Sequence, residues 1–328
     1  MIIKLQKNNT VLCTSRNYRE ATQLAKLRKM KLVLIGKHGG QSKIGKLNAG
    51  LGRTSALTRQ IQKFQPDLVV SFCSPEAAKV AFGLGIRHIA FCDSPHAQAV
   101  MRLSIPLVQR LLIPWIIPKK EFTKYGINEK DIIPYKAIDA SVIVKYGKAK
   151  TVSRKPGKKN ILIRIEEAQA AYVQKSDEQI LKIIRKIADK FYDANVLVLP
   201  RYRSQILKLR RNLGKKIKIL DKVVVGSSLL QNTDIFVGSG GTMTAEAALL
   251  GIPTISYNAV PNLVQDYLVR KKLIILQSDP NKIVSIIDKM LYSDNIMQKK
   301  CKRHISVNGR SLQEADPSYQ KKIIPNRK

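Results

Sequence analysis

Short apolar runs alternate with longer amphipathic stretches along the whole chain. That rhythm predicts βα units built around parallel sheets. In the first half, strands are expected at 11–14, 32–35, 68–71, 88–91, 111–113 and 132–135, with helices at 18–30, 45–64, 75–84 and 119–125. Ser74-Pro75 and Ser94-Pro95 each place a capping hydroxyl before a proline suited to the first helical position. The rhythm breaks over 145–159, which is cationic and turn-rich and reads as a linker or exposed loop. It then restarts, with strands at 161–165, 196–199, 217–219, 235–237, 254–256 and 273–276 and helices at 177–192, 203–213, 241–250, 263–270 and 280–291. The division expected is a first domain over 1–148, a linker over 149–159, a second domain over 160–294 and a basic tail over 295–328.

The length, 328 residues, suits two domains each able to bury its own core. Charge changes the picture more. There are 59 basic and 23 acidic residues, for a net charge of +36. Such a field favours anionic partners: phosphorylated small molecules, an anionic membrane surface or nucleic acid. A solvated coat of lysines accounts for much of it, because the basic residues are spread along the chain. Against nucleic acid as the main partner, aromatic residues are only 6% and no recognition motif stands out. Cys13, Cys73, Cys92 and Cys301 form no CxxC pair and have no zinc spacing, which suits free thiols in a reducing compartment. No apolar run approaches the ~18 residues of a spanning helix. The start is too short and too charged for a signal peptide. A cytoplasmic protein is expected, with peripheral contact at the inner face of an anionic membrane left open. The oily stretch 111–118 is broken by Pro114 and Pro118 and reads as a buried strand.

The strongest chemical signal is Ile235-Phe236-Val237-Gly238-Ser239-Gly240-Gly241-Thr242-Met243-Thr244-Ala245-Glu246. An apolar strand enters a glycine-rich turn and then a helix. Glycines let backbone approach a ligand, and a helix start offers unpaired N–H groups for phosphate. The order is neither the dinucleotide fingerprint nor a P-loop. Ser239, Thr242 and Thr244 add hydroxyls. Glu246 does not fit a capping box counted from Thr242, and it can accept hydrogen bonds from ribose. Asp93 and His96 follow a strand, where doubly wound folds bind ligands. A carboxylate with an imidazole three residues on suits general base catalysis; helix capping accounts for the same residues equally well. His38 stands beside Gly39-Gly40, and Arg164 and Arg201 end strands of the second half, where they can pair with phosphate. No metal-ligand cluster is apparent.

The stretch Gly238–Pro253 resembles the nucleotide-binding loop and helix of GT-B glycosyltransferases and UDP-N-acetylglucosamine 2-epimerases. With Ile35-Gly36-Lys37-His38-Gly39-Gly40 and Asp93-Ser94-Pro95-His96-Ala97, the chain is similar over about residues 8–292 to a mostly archaeal GT-B superfamily family of unknown function. The resemblance implies an α/β, GT-B-like fold: two doubly wound Rossmann-type domains with a cleft between them. It also implies an acceptor-side first domain and a second domain that holds a nucleotide-sugar. Catalytic roles would fall to Asp93, His96 and His38. Nucleotide-sugar binding would fall to Gly238, Ser239, Gly240, Gly241, Thr242, Glu246, Arg164 and Arg201. The expected activity is metal-independent glycosyl transfer from a UDP-linked sugar, with no separate cofactor; epimerisation and non-catalytic anion or nucleic-acid binding are the alternatives. Against epimerisation, no acid stands at Cys73-Ser74-Pro75, and Arg164-Ile165-Glu166-Glu167 lacks the family's histidine. One departure concerns the start. Members of this superfamily open with a strand and a glycine-containing turn, whereas residues 1–10 read as the end of the following helix. The opening strand is expected to be missing, which would leave a central strand unpaired on one side.

Overall fold

A computed structural model describes residues 2–40, 42–146, 157–165, 177–222, 224–259 and 261–292. The chain forms two compact units. The first takes the chain up to Ile113 together with Lys119–Ile133 and Val223–Val225; the second takes Pro114–Pro118 and the rest from Pro134 onward. The expected tail at 295–328, most of the linker (149–156), Glu166, Glu167 and Cys301 lie outside the described residues.

In the first part of the chain the elements follow in the order α1 (Ile2–Leu5), β1 (Thr14–Asn17), α2 (Arg19–Leu27), β2 (Val33–Lys37), α3 (Lys43–Phe64), β3 (Leu68–Ser71), α4 (Pro75–Gly83), β4 (Arg87–Phe91), α5 (Gln98–Ser104), β5 (Arg110–Pro114), α6 (Lys120–Thr123) and β6 (Ile132–Tyr135). They build two sheets, β1-β2 and β3-β4-β5-β6. The strands of β1-β2 and of β3-β4-β5 run parallel. Ser74 caps α4 as its sequence implies, its hydroxyl accepting from the Ala77 amide at 3.3 Å. Ser94-Pro95 behaves differently. It opens a turn, and α5 starts only at Gln98 with no side-chain cap. Two bonds hold that turn: the Ser94 hydroxyl donates to Asp93 at 2.7 Å, and the Pro95 carbonyl accepts from the distant Tyr125 hydroxyl at 3.0 Å. The run 111–118 is a buried strand only as far as Pro114, after which Trp115 turns outward and meets Tyr267 edge-on at 5.8 Å.

The second part continues with α7 (Asp139–Tyr146), β7 (Asn160–Arg164), α8 (Asp177–Lys190), β8 (Asn195–Leu199), α9 (Arg203–Leu213), β9 (Lys218–Ile219), α10 (Gly226–Leu230), β10 (Ile235–Gly238), α11 (Thr242–Leu249), β11 (Thr254–Ser256), α12 (Leu263–Arg270), β12 (Ile275–Leu276) and α13 (Pro280–Tyr292). Helix α7 takes in Lys145 and Tyr146, the first two residues of the turn-rich stretch expected at 145–159, since the apolar run before them carries the helix on. Six parallel strands form one sheet in the order β12-β11-β10-β7-β8-β9. The chain winds outward from β7 through β8 to β9, then returns beside β7 and winds outward the other way. That is the doubly wound pattern, and its switch point lies between β7 and β10. Helices cover both faces, so the central strands are apolar throughout. Ile161 and Ile163 of β7 pack with Ile183, Ile187 and Ile283 on one face. Leu162 packs with Phe236, Leu230 and Ala247 on the other.

His88 shows how burial in the first unit sets a charge state. It lies on β4 with no solvent exposure. Its Nε2 meets the Ser71 hydroxyl at 2.8 Å, and Nδ1 has no partner. Burial disfavours the imidazolium and lowers the pKa to about 4. A histidine whose folded pKa lies below its unfolded value leaves the fold fully stable above pH 6.5. Stability is then lost as pH falls from 6.5 toward about 4. The loss should reach about 3 kcal/mol. Urea unfolding across that window should show His88→Gln with a flatter pH dependence than the wild type.

Candidate functional site

Strand β10 is buried over its whole length and ends at the switch point. Two glycines make the turn that follows possible. A Cβ on Gly238 would stand 2.4 Å from the Thr244 hydroxyl and 2.5 Å from the Phe236 ring, so no side chain fits there. Gly240 has φ +104, a conformation that other residues adopt only under strain. The turn is then pinned from two sides. The Gly240 amide donates to the Thr244 hydroxyl at 3.2 Å, and its carbonyl accepts from the Asn262 side-chain amide at 2.9 Å. Asn262 is itself held as the N-cap of α12, accepting from the Gln265 amide at 2.9 Å.

With Gly240 fully engaged, the turn leads into α11 with Gly241 at its N-cap and no side-chain cap. The amides of Thr242 and Met243 therefore open the helix without an intrahelical acceptor. Gly241 and Thr242 are exposed, while Ser239 and Gly240 are buried. The result is a rigid rim of backbone N–H groups at the positive end of a helix, open to solvent and suited to an anion.

The other second-unit candidates fall around the same sheet edge with different commitments. Arg164 ends β7, next to β10. Its guanidinium donates to the carbonyls of Leu199 and Pro200 at 3.3 and 3.1 Å, and its own carbonyl accepts from the Tyr257 hydroxyl at 3.2 Å. Arg164 thus ties β7 to β8 and β11. Arg201 follows β8, its amide donating to Gln205 at 2.7 Å as α9 begins. Glu246 lies in the second turn of α11 and is 9% exposed, with one carboxylate oxygen 3.7 Å from where a Cβ on Gly226 of α10 would stand.

In the first unit, Asp93 and His96 share the turn after β4. Burial lowers the His96 pKa, and the Asp93 charge partly restores it. The ring is therefore neutral at pH 7 and able to take a proton. His38 is exposed after β2, and its Nδ1 accepts from the Gly40 amide at 3.1 Å. That bond leaves Nε2 as the protonated nitrogen of the neutral ring. His38 follows β2 and Asp93 follows β4, so the two extend from different sheets of the first unit. Among the described residues no group of three or more His, Cys, Asp or Glu side chains is placed to hold a metal. No described helix is long and apolar enough to cross a membrane.

The structure also brings in residues that motif reading passed over. Ser256, Asn258, Asn262 and Gln265 form a polar ladder beside the glycine turn. Gln265 is only 2% exposed, and its side-chain amide bonds Asn258 at 2.8 Å. Their only sequence signal is the turn-rich run Tyr257-Asn258-Ala259, which carries no ligand motif.

A family model described as "Protein of unknown function (DUF354)" matches residues 1–311. The chain belongs to that family. An uncharacterized protein, MJ0665 of Methanocaldococcus jannaschii, is 28% identical over 295 residues, covering 83% of this chain and 81% of the relative. Among solved structures, a UDP-GlcNAc 2-epimerase from Neisseria meningitidis bound to UDP-GlcNAc superposes with TM-score 0.71 at 18% identity, covering 95% of each chain. A Methanocaldococcus jannaschii UDP-GlcNAc 2-epimerase in complex with UDP-GlcNAc and UDP gives 0.63 at 17% identity, covering 94% of each. The glycotransferase of kitacinnamycin gives 0.55 at 13%, covering 94% of this chain and 91% of that one. At these identities the likeness is one of fold, and the fold of this DUF354 chain is GT-B-like α/β.

Gly240→Ala should force the turn out of its conformation and cost about 1–3 kcal/mol. Asn262→Ala should cost about 1 kcal/mol through the lost cap and the freed carbonyl. Thermal unfolding of both variants against the wild type measures these losses.

Proposed function

We propose that this protein binds a nucleoside-diphosphate sugar, UDP-linked, at the turn 238–242 and transfers the sugar to an acceptor without a metal ion. The pinned turn at the β7–β10 switch point carries the reading. Its open amides and the positive end of α11 suit a diphosphate, and such preorganised dipoles stabilise a leaving diphosphate without reorganising. In this reading Ser239 and Thr242 add hydroxyl donors, and Arg201 adds charge. Arg164, committed to main-chain carbonyls, braces the sheet edge on which the diphosphate rests. Glu246 accepts from the ribose hydroxyls. The nucleotide-sugar complexes of the two epimerases named above support this ligand class through a shared fold.

On the acceptor side, His96 is the general base, with the Asp93 carboxylate stabilising the imidazolium as it forms. His38 donates through Nε2 to an acceptor oxygen. The proton leaves the acceptor hydroxyl for His96 as its oxygen attacks the anomeric carbon. The bond to the diphosphate breaks, and its negative charge is taken up at the amide rim. Because burial keeps His96 neutral below its ordinary titration range, transfer should hold its rate as pH falls somewhat below 6.5.

Thermal shift with UDP separates this reading from general anion binding. UDP should stabilise the wild type at both low and high salt, and Gly240→Ala should lose the effect. If UDP gives no shift while a random oligonucleotide stabilises only at low salt, the protein is an electrostatic anion binder and the proposal fails. Incubation with UDP-GlcNAc then identifies the chemistry. Acceptor-dependent UDP release that drops at least tenfold in His96→Ala supports transfer, whereas conversion to UDP-N-acetylmannosamine without UDP release assigns epimerisation instead.

A further inference from the structure

Strands β3 and β4 are parallel neighbours, paired as far as Ser71 with Ala90. Two residues beyond these partners stand Cys73 and Cys92. The register therefore sets the two cysteines side by side at the carboxyl edge of the sheet. Both are buried, and their thiols are hydrogen-bonded to each other. Met101 of α5, 1% exposed, closes the group: the Cys92 thiol donates to the Met101 sulfur at 3.7 Å. The sulfurs of Cys73 and Met101 thus both meet the sulfur of Cys92, in a place shielded from water.

Two local features go beyond what packing needs. Cys73 has φ +46, and among the described non-glycine residues with left-handed backbone it alone is buried. Such a conformation costs about 1–3 kcal/mol and gathers at functional sites. Here it turns the chain so that Phe72 is exposed and the next residue faces inward. The Ser94 amide also donates to the Cys92 sulfur at 3.4 Å. An amide aimed at sulfur supports a thiolate, and a cysteine serving only as a small apolar filler has no use for it. With no metal bound the thiols stay protonated, because the bond from Cys73 and burial push the Cys92 pKa far up against the pull of that amide.

Donor chemistry selects the ion. Thiolate and thioether sulfurs are soft ligands and favour soft cations such as Cu(I). Structural zinc is held tetrahedrally by four ligands. Among the described residues no group of three or more His, Cys, Asp or Glu side chains can hold a metal, so the donor set here stops at two thiols and a thioether. A planar three-coordinate site with metal–sulfur bonds of about 2.3 Å sets its sulfurs about 4 Å apart. The Cys92–Met101 separation of 3.7 Å already lies near that spacing.

We propose that Cys73, Cys92 and Met101 bind one Cu(I) ion in a three-coordinate, all-sulfur site at the carboxyl ends of β3 and β4. On binding, each thiol gives its proton to solvent, and two S–H bonds are replaced by two Cu–S bonds. Met101 adds a lone pair. No electron is transferred, and the copper stays Cu(I). The centre carries one net negative charge, which the +36 of the whole chain favours. None of its ligands belongs to the groups proposed for sugar transfer, so the two readings stand or fall separately.

The test uses the full chain with Cys13→Ser and Cys301→Ser, which leaves only the paired thiols. Cu(I) is titrated without oxygen against bicinchoninate as competing chelator, on the folded protein and again during refolding from urea, so that burial cannot block entry. One equivalent should bind and raise the melting temperature. Met101→Leu conserves volume and fold and should weaken binding about tenfold, while Cys73→Ser should weaken it about a hundredfold. X-ray absorption at the copper edge should find three sulfur neighbours. Failure to bind one equivalent in either titration overturns the proposal, as does binding that Met101→Leu leaves unchanged or a centre with only two sulfurs. If hydrogen peroxide joins Cys73 to Cys92 as a disulfide in a protein that takes up no Cu(I), the cysteines are a redox pair and the metal site is refuted.

Discussion

The second unit depends on one close approach. The Thr244 hydroxyl and the Phe236 ring fill the volume that any side chain on residue 238 would need. Strand β10 can therefore turn directly into α11, and the amide of Gly240 closes on Thr244. If residue 238 carried a Cβ, the strand and helix would separate, and the open amides would lose their place beside β7. Everything proposed about diphosphate recognition follows from that contact and from Asn262 holding the other side of the turn.

The two units reach order by different means. In the six-stranded sheet, isoleucines on one face of β7 and leucine on the other bury against helices on both sides. Backbone pairing and apolar burial agree there, which is what makes a central parallel strand stable. In the first unit they disagree around β1 and β3. Pairing stops on one edge of each, and a long helix with an ion pair carries the connection. An exposed ion pair contributes little by itself. Arg16 is 40% exposed in its side chain, so apolar packing of α3 is the main bond between the two sheets.

Charge enters locally more than globally. The net charge of +36 biases the protein toward anions at long range. At the glycine turn the positive potential is local and fixed, set by dipoles on a pinned backbone. Arg164 ends β7, and its guanidinium donates to the carbonyls of Leu199 and Pro200. Partial burial lowers the His96 pKa, and the Asp93 charge partly restores it.

The chain's own pattern determined the α/β class and most elements. The strands Leu68–Ser71, Ile132–Tyr135 and Thr254–Ser256 and the helices Arg203–Leu213 and Leu263–Arg270 stand where periodicity and caps place them, because those signals are local. The glycine turn was legible for the same reason: only glycine tolerates its backbone. Short helices such as Gln98–Ser104 and Gly226–Leu230 were not legible, since they carry too few turns to show a period. Tertiary structure alone decided strand order, the switch point between β7 and β10, the service of Asn262 and Gln265 to the turn, and the burial of Arg53 beside Glu76. Each of these depends on residues far apart in sequence meeting in space, and no local rule for spacing or propensity encodes such a meeting.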